Sequence, residues 1–511
     1  MARFRTISPV GTEEWKGRLD DLDERVARAR AMGGDERVAG QRAEGRLDAR
    51  GRVDALLDAG TFTEVGTHAG GAAGVPADGF VAGSGLVEGR PVLVGAEDFT
   101  VLGGSIGVAG HAKRQRLTEL AARERVPLVL LLEGAGERAQ NALGGRDRAP
   151  TDLQGLVALS GLVPTVAVVH GPSAGHGALA APLVDWCLMV EGAALFAAGP
   201  PLVAAATGEQ VDKEALGGVG VHVEESGVAH DAAPDDAAAL VAVRRYLSFF
   251  PSSAWSALHR LEGGDVGPRR LDGVLDLVPT DGRRPYDMRV LVADVVDGGD
   301  WFEVAAGRGG SVLCGLARLG GWPVAIVANQ PKVRAGAFDG PACDKTARFL
   351  EVAGAFRLPV LFLADNPGVM AGSAAERSGI LRRSARLYAA QARLTGPKLH
   401  VTVRKAYGFG SSLMAMNPFD GQTVSLAFPG VQLGAMPASG AGAAAGVDDA
   451  EQAALDDADL AGGYRSADRF SYDEVIDPRD LRNRLLTALT LAGSRLSAAP
   501  EGPVRRTGIL P

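Results

Sequence analysis

The stretch RLTELAARERVPLVLLLEGAG, residues 116–136, has a second copy in ARFLEVAGAFRLPVLFLADNPG, residues 347–368. Each reads as a helix, a proline, a buried run of aliphatic residues, an acid (Glu133 or Asp365) and a glycine-bearing loop. Pro127 and Pro359 stand 232 positions apart. Upstream, Gly89-Arg90-Pro91-Val92 opens PVLVGAEDF as Gly321-Trp322-Pro323-Val324 opens PVAIVANQ, at the same offset. Downstream, VPTVAVVHGPSAGHGALAAP (163–182) matches GPKLHVTVRKAYGFGSSLMAM (396–416), with Pro164 and Pro397 separated by 233. Three matches in one order at one offset point to two tandem domains of one fold, linked between about 251 and 285. The period is far too long for a solenoid.

Each half repeats one rhythm. A strand pair precedes a helix, then come the proline-led strand and its acid, a second helix (about 152–162; about 379–394) and a further strand (165–170; 399–403). Strands alternating with helices imply an α/β protein with mostly parallel sheets covered by helices. Ligands on such folds sit at the carboxyl ends of strands. Those loops carry many of the 70 glycines, about twice the usual share in a chain of 511 residues.

Composition narrows the rest. Three distant cysteines (Cys187, Cys314, Cys343) form neither a disulfide framework nor a CxxC zinc site. A net charge of −8 gives no reason to bind nucleic acid or an anionic membrane. The N-terminus lacks the apolar core of a signal peptide and reads as an amphipathic helix from about Glu13. No uninterrupted apolar run reaches a membrane span, so a cytoplasmic protein is expected.

Two turns carry the chemistry. His170-Gly171-Pro172-Ser173-Ala174-Gly175-His176-Gly177 and its repeat partner Lys405-Ala406-Tyr407-Gly408-Phe409-Gly410-Ser411-Ser412 each lie between a strand and an apolar helix. Unpaired amides at such a helix start stabilise an enolate or oxyanion without a charged side chain. Two of them suggest two oxyanion holes serving one reaction with two carbonyl partners. Neither turn fits GxxxxGK[ST], no GxGxxG follows a strand, and Ser173 lacks GxSxG spacing. His68, His111, His222 and His230 show no metal-ligand spacing and read as surface or capping histidines; no metal is expected.

These residues resemble the carboxyltransferase (beta) subunit of biotin-dependent acyl-CoA carboxylases, of the propionyl-CoA/acetyl-CoA carboxylase type. The likeness runs from about Gly40 to the C-terminus and includes AEGRLDARGRVDALLDAGTFTEV, DFTVLGGSIG, TGEQVDKEALGG, PYDMR, NQPKVRAG, CDKTARF, DNPGVMAG, RKAYG and DEVIDPRDLRNRL. It implies two tandem crotonase-like (ClpP/crotonase) domains, each a ββα-repeat spiral: residues 1–260 on the acyl-CoA side and 261–511 on the biotin side. It implies an enzyme that moves CO2 from N-carboxybiotin, delivered on a separate carrier protein, to the alpha carbon of an acyl-CoA through an enolate. The acyl hole then falls on Gly175 and His176 and the biotin hole on Phe409 and Gly410, with Gly136, Lys113, Gly368 and Ser412 as cofactor-binding residues. The implied partners are a biotin carboxylase/biotin carrier (alpha) subunit and further copies of this chain, as a hexamer with active sites at a dimer interface. No Met-Lys-Met biotinylation site is seen, so partner subunits are expected to supply it.

Departures from the family pattern concentrate at the turns. Gly-Gly-Ala is replaced by Gly175-His176-Gly177 and Gly408-Phe409-Gly410, Ser412 takes the position that helps select acyl length, and Asp-Ser-Gly-Gly-Ala-Arg becomes residues 133–138, EGAGER. We expect His176 to line the acyl pocket. Lys113 matches a family lysine, although Lys113, Arg114 and Arg116 read as a solvated helix face. The competing readings are a decarboxylase of malonyl- or methylmalonyl-type thioesters, with or without biotin, and a non-catalytic scaffold subunit.

Overall fold

The computed structural model describes residues 11–144, 151–418, 420–504 and 509. Two large sheets follow one another along the chain. The first has the order β1 (Thr63–Glu64), β2 (Phe80–Val87), β3 (Arg90–Glu97), β4 (Leu128–Leu132), β5 (Thr165–Val169), β7 (Trp186–Val190), β9 (Asp231–Ala233), while β6 (Pro172–Ala174) pairs with β8 (Ala194–Phe196). The second runs β10 (Trp301–Val304), β11 (Val312–Leu319), β12 (Trp322–Asn329), β13 (Val360–Asn366), β14 (Lys398–Tyr407), β15 (Gln422–Ala427), β17 (Glu474–Val475), with β16 (Gln432–Gly434) added on β14. In both, the first two pairings are antiparallel and the rest parallel. The expected mostly parallel α/β architecture is what the chain adopts.

The registers carry the repeat. Leu93 pairs Leu128 as Ala325 pairs Val360, and Leu128 pairs Thr165 as Val360 pairs Lys398. The repeated prolines now have a physical reason. A proline cannot donate to a ladder, but its carbonyl can accept: Pro127 takes the Leu93 amide (2.9 Å), and Pro164 the Leu128 amide (3.0 Å). Pro359 and Pro397 do the same for Ala325 and Val360, both at 2.8 Å. Strands β4, β5 and β13 are buried along their whole length, which is why they read as continuous aliphatic runs.

Helices cover the sheets: α1 (Val108–Glu124), α2 (Asp152–Leu159) and α3 (Gly175–Leu179) in the first half, and α4 (Gly340–Ala355), α5 (Ile380–Ala392) and α6 (Gly408–Leu413) in the second. Three sequence boundaries move. The 152–162 helix stops at Leu159, before Gly161 in the left-handed region. The helix expected from Glu13 begins at Gly11. The 399–403 strand runs on to Tyr407, so Lys405–Tyr407, expected in the glycine turn, pair with β16. In the first half the same path breaks into β5 and β6, with Pro172 opening the second piece.

One hydrophobic core links both halves, from Val53 and Val94 through Trp186 to Val324, Phe362 and Leu485. A second lies wholly in the first half, around Leu117, Leu130 and Val169. All three cysteines are buried and free, and no helix among the described residues is long and apolar enough to cross a membrane.

Two histidines make this core pH-sensitive. Burial and the Arg348 cation press His230 down to about 3, while its Nδ1 accepts the Cys187 amide at 3.0 Å. Burial presses His400 down to about 4. Both rings are neutral in the fold but titrate near about 6.5 once unfolded. The unfolded chain therefore binds more protons below that pH, and stability falls as pH drops from about 6.5 towards about 4. Thermal unfolding followed across this window is expected to show the slope, and His400→Gln to flatten it. A slope unchanged in that variant would remove His400 from the account.

Candidate active site

Both glycine turns have one backbone form. Gly175 opens α3 at φ +57° and Gly408 opens α6 at φ +55°. Positive φ is what permits the sharp exit from an extended strand residue (Ala174; Tyr407) into a helix whose first amides have no intrahelical acceptor. Each turn interlocks with the loop after the neighbouring strand. Ala174 donates to the Gly134 carbonyl at 3.0 Å, and a Cβ on Gly136 would lie 2.7 Å from the Ala174 oxygen. In the second half, a Cβ on Gly410 would lie 2.6 Å from Asn366 Oδ1 and 2.7 Å from Gly368 Cα.

The structure thus brings Gly136 to Ala174 and Gly175, and Gly368 to Gly410. Ser412 sits on the same short helix as Phe409 and Gly410, its hydroxyl donating to Asn417 Oδ1 at 3.0 Å. Phe409 is 49% exposed.

Lys113 is elsewhere. It is buried, and its ammonium donates to the carbonyls of Ala77 (3.0 Å) and Phe80. Its repeat mate Lys345 likewise donates to Ala305 (3.2 Å) and Arg308 (2.6 Å). A lysine that staples the helix to the loop before the hairpin in both copies is a structural element, and contact with a CoA phosphate is not open to it here. The solvated-face reading also fails for Arg114, which is buried against Glu97 at 2.5 Å; Arg116 is exposed. His230, read as surface or capping, is half-buried and caps the Cys187 amide.

The acids that close the repeated strands are ion-paired. Glu133 accepts from Arg52 (2.5 Å) and Gln41 (3.2 Å) and bridges Arg46. Asp365 accepts from Tyr286 (2.9 Å) and Arg404 (3.0 Å). They fix the strand ends behind the turns.

The first half adds a chain of charge that sequence spacing could not show. Glu97, at the end of β3, accepts the Glu133 amide and pairs with Arg114. Burial pushes the Glu97 carboxyl up, and the Arg114 charge partly holds it down. Arg114 lies 3.9 Å from Asp152, whose Oδ1 is 2.6 Å from His176 Nε2. Burial raises the Asp152 carboxyl, but the His176 hydrogen bond and Arg114 outweigh it and leave the group below its ordinary range. Beyond stands His111, its ring 5.0 Å from that of His176 and its Nε2 2.7 Å from Glu137. Asp152 was visible only as a helix start, 24 residues from His176.

A cavity of about 500 Å³ at the seam between the halves, lined by His230, Arg308, Lys345, Arg348, Arg383 and Arg386, contains none of the turn residues.

Duplicated crotonase-type sheets, each ending in a bare-amide turn, define a carboxyltransferase-class protein. Comparison with known proteins agrees: residues 40–502 match the carboxyl transferase domain, and the chain belongs to that family. It is 36% identical over 517 residues to the propionyl-CoA carboxylase beta chain of Saccharopolyspora erythraea, covering 95% of this chain and 94% of that one. It is 33% identical over 497 residues to the methylmalonyl-CoA decarboxylase subunit alpha of Veillonella parvula, covering 95% and 97%. Among solved structures it superposes on transcarboxylase 12S, a hexamer with methylmalonyl-CoA and methylmalonic acid bound, with TM-score 0.88, 33% identity and full coverage of both chains.

Proposed function

We propose that this chain is the carboxyltransferase subunit of a biotin-dependent acyl-CoA carboxylase, acting on an acyl-CoA of the acetyl/propionyl class. The observation that carries the reading is the paired turn: one glycine in the same left-handed conformation, at one sequence offset, in each half. Residues 1–260 take the acyl-CoA and residues 261–511 the biotin. Biotin on a carrier subunit, when bound and carboxylated, supplies the CO2 and the base for the alpha proton.

The amides of Gly175 and His176 hold the thioester oxygen and lower the cost of charge on it as the alpha proton leaves. The second turn suits a ureido oxygen on an apolar bicycle, with bare amides at Phe409 and Gly410 beside the exposed Phe409 ring. Gly136 and Gly368 keep the two turns seated, and Ser412 borders the biotin side. The working assembly is a hexamer of this chain with a biotin carboxylase/biotin carrier subunit, the site lying between two copies.

A second reading reverses the flux. It is supported by the likeness to a methylmalonyl-CoA decarboxylase subunit. The purified chain incubated with malonyl-, methylmalonyl- and glutaconyl-CoA, with and without free biotin, separates a biotin-dependent transferase site, in either direction of flux, from a repurposed crotonase and from a scaffold. Biotin-dependent loss of the carboxylate is expected. Turnover without biotin would indicate a repurposed crotonase fold, and no turnover with any thioester and carrier would indicate a scaffold.

His176 stands where its side chain narrows the acyl side. His176→Gly is expected to shift preference among acetyl-, propionyl- and butyryl-CoA towards the longer acyl groups. An unchanged kcat/KM profile would sink that role.

A further inference from the structure

We propose that His111, Asp152 and His176 form a binding site for a divalent first-row transition ion of the zinc class. The inference does not depend on the turn's amides: it rests on the side chain of His176, within the turn, and on those of His111 and Asp152 beside it.

The three residues come from three elements, α1, α2 and α3, and each offers one ligand atom, all within 4.8 Å of one another. Two imidazoles and a carboxylate are a donor set that zinc and cobalt accept. Tetrahedral bonds of about 2.1 Å place ligand atoms about 3.4 Å apart. The His176–Asp152 contact, at 2.6 Å, is a hydrogen bond that would open slightly as an ion replaced its proton. The His111 side chain, 28% exposed and held by Glu137, would turn inwards to complete the set. Asp152 is buried and anchored at the N-terminus of α2 by the Thr151–Gln154 capping box. Glu137, 2.7 Å from His111, provides either a fourth ligand or the partner that orients the ring.

Charge favours the site. Asp152 and Glu137 face it, and the nearby cation, Arg114, is shared between Glu97 and, at 3.9 Å, Asp152.

The internal repeat supplies an independent comparison. Stepping 232 residues from His111 and Asp152 leads to Cys343 and Ser384, whose Sγ and Oγ are 3.7 Å apart. Stepping 233 from His176 leads to Phe409. The Glu97–Arg114 pair becomes Asn329 and Thr346, and Asn329 Oδ1 accepts the Asp365 amide as Glu97 accepts that of Glu133. The fold thus gathers these positions in both halves, and in one fills them with a thiol, a hydroxyl and a phenyl ring, which make no three-ligand set among the described residues. The two imidazoles and the carboxylate in the other are not demanded by packing.

The test uses the full chain, produced without a polyhistidine tag, stripped with chelator and titrated with Co²⁺ and Zn²⁺ by calorimetry and visible absorption. One ion per chain is expected, with a tetrahedral cobalt spectrum. His111→Gln and Asp152→Asn are each expected to weaken binding at least about a hundredfold. No saturable binding, a spectrum of six-coordinate aquo-cobalt, or wild-type affinity in both variants would overturn the site. If a variant fails to fold, the wild-type cobalt spectrum decides, since tetrahedral, thiolate-free coordination is read from it and His111, Asp152 and His176 are the one such ligand group among the described residues. Turnover is not the readout, so a negative result here leaves the proposed carboxyltransferase activity standing, and the reverse also holds.

Discussion

Replacing Gly410 by alanine is expected to lower carboxyl transfer by about 10²–10³-fold, the loss typical when one preorganised oxyanion donor is displaced. The added methyl has nowhere to go. It would meet Asn366 Oδ1 at 2.6 Å and the Gly368 backbone at 2.7 Å, so the turn itself must shift. Gly175 provides the contrast. No atom lies within 4 Å of its would-be Cβ, and the cost of alanine there is the positive φ alone, about 1–2 kcal/mol. Gly175→Ala should therefore lose stability while keeping more activity than Gly410→Ala. Steady-state kcat/KM for transfer between malonyl-type thioesters and biotin measures both. Activity of Gly410→Ala within about threefold of wild type would separate this turn from the chemistry.

Glu133→Leu should be the most damaging substitution away from the turns. It strips the wholly buried Arg52 of one of its two carboxylates, leaving Asp236 alone, and leaves Arg46 only the exposed Glu44. Breaking one side of a buried pair costs about 3–5 kcal/mol. At about 2–4 °C per kcal/mol for a domain of this size, Tm should fall by about 10 °C. The exposed Asp21–Arg25 bridge, one helical turn long, is the control, and Asp21→Asn should leave Tm unchanged. Equal midpoints for Glu133→Leu and wild type would mean the Arg52–Asp236 contact suffices to hold the site.

Much of this architecture was legible because it is written twice. The Pro127/Pro359 and Pro164/Pro397 pairs mark the same two ladder positions in each sheet, and repetition turned weak strand signals into a pattern. The turns were legible for the same reason. Side-chain partnerships were not. Lys113 looked like a helix-face cation because periodicity says nothing of a carbonyl pocket 33 residues upstream. His111 looked solitary because its neighbours Asp152 and His176 are brought to it by two other elements. Local pattern fixes backbone geometry. Which polar side chains meet is decided by how the loops at the strand ends close, and no spacing encodes that.

The unequal paths after the fifth strand have a consequence of their own. Where β14 continues unbroken to Tyr407, the first copy is cut by His170-Gly171 and restarted at Pro172. The two ends differ in continuity: one keeps a single strand up to its turn, while the other breaks at residues 170–171 and pairs a separate piece, β6, with β8 just before its turn. Each copy therefore serves as a ready-made reference for the other. Grafting residues between positions 232 or 233 apart would ask, within one molecule, which differences belong to the scaffold and which to the chemistry that each end has come to perform.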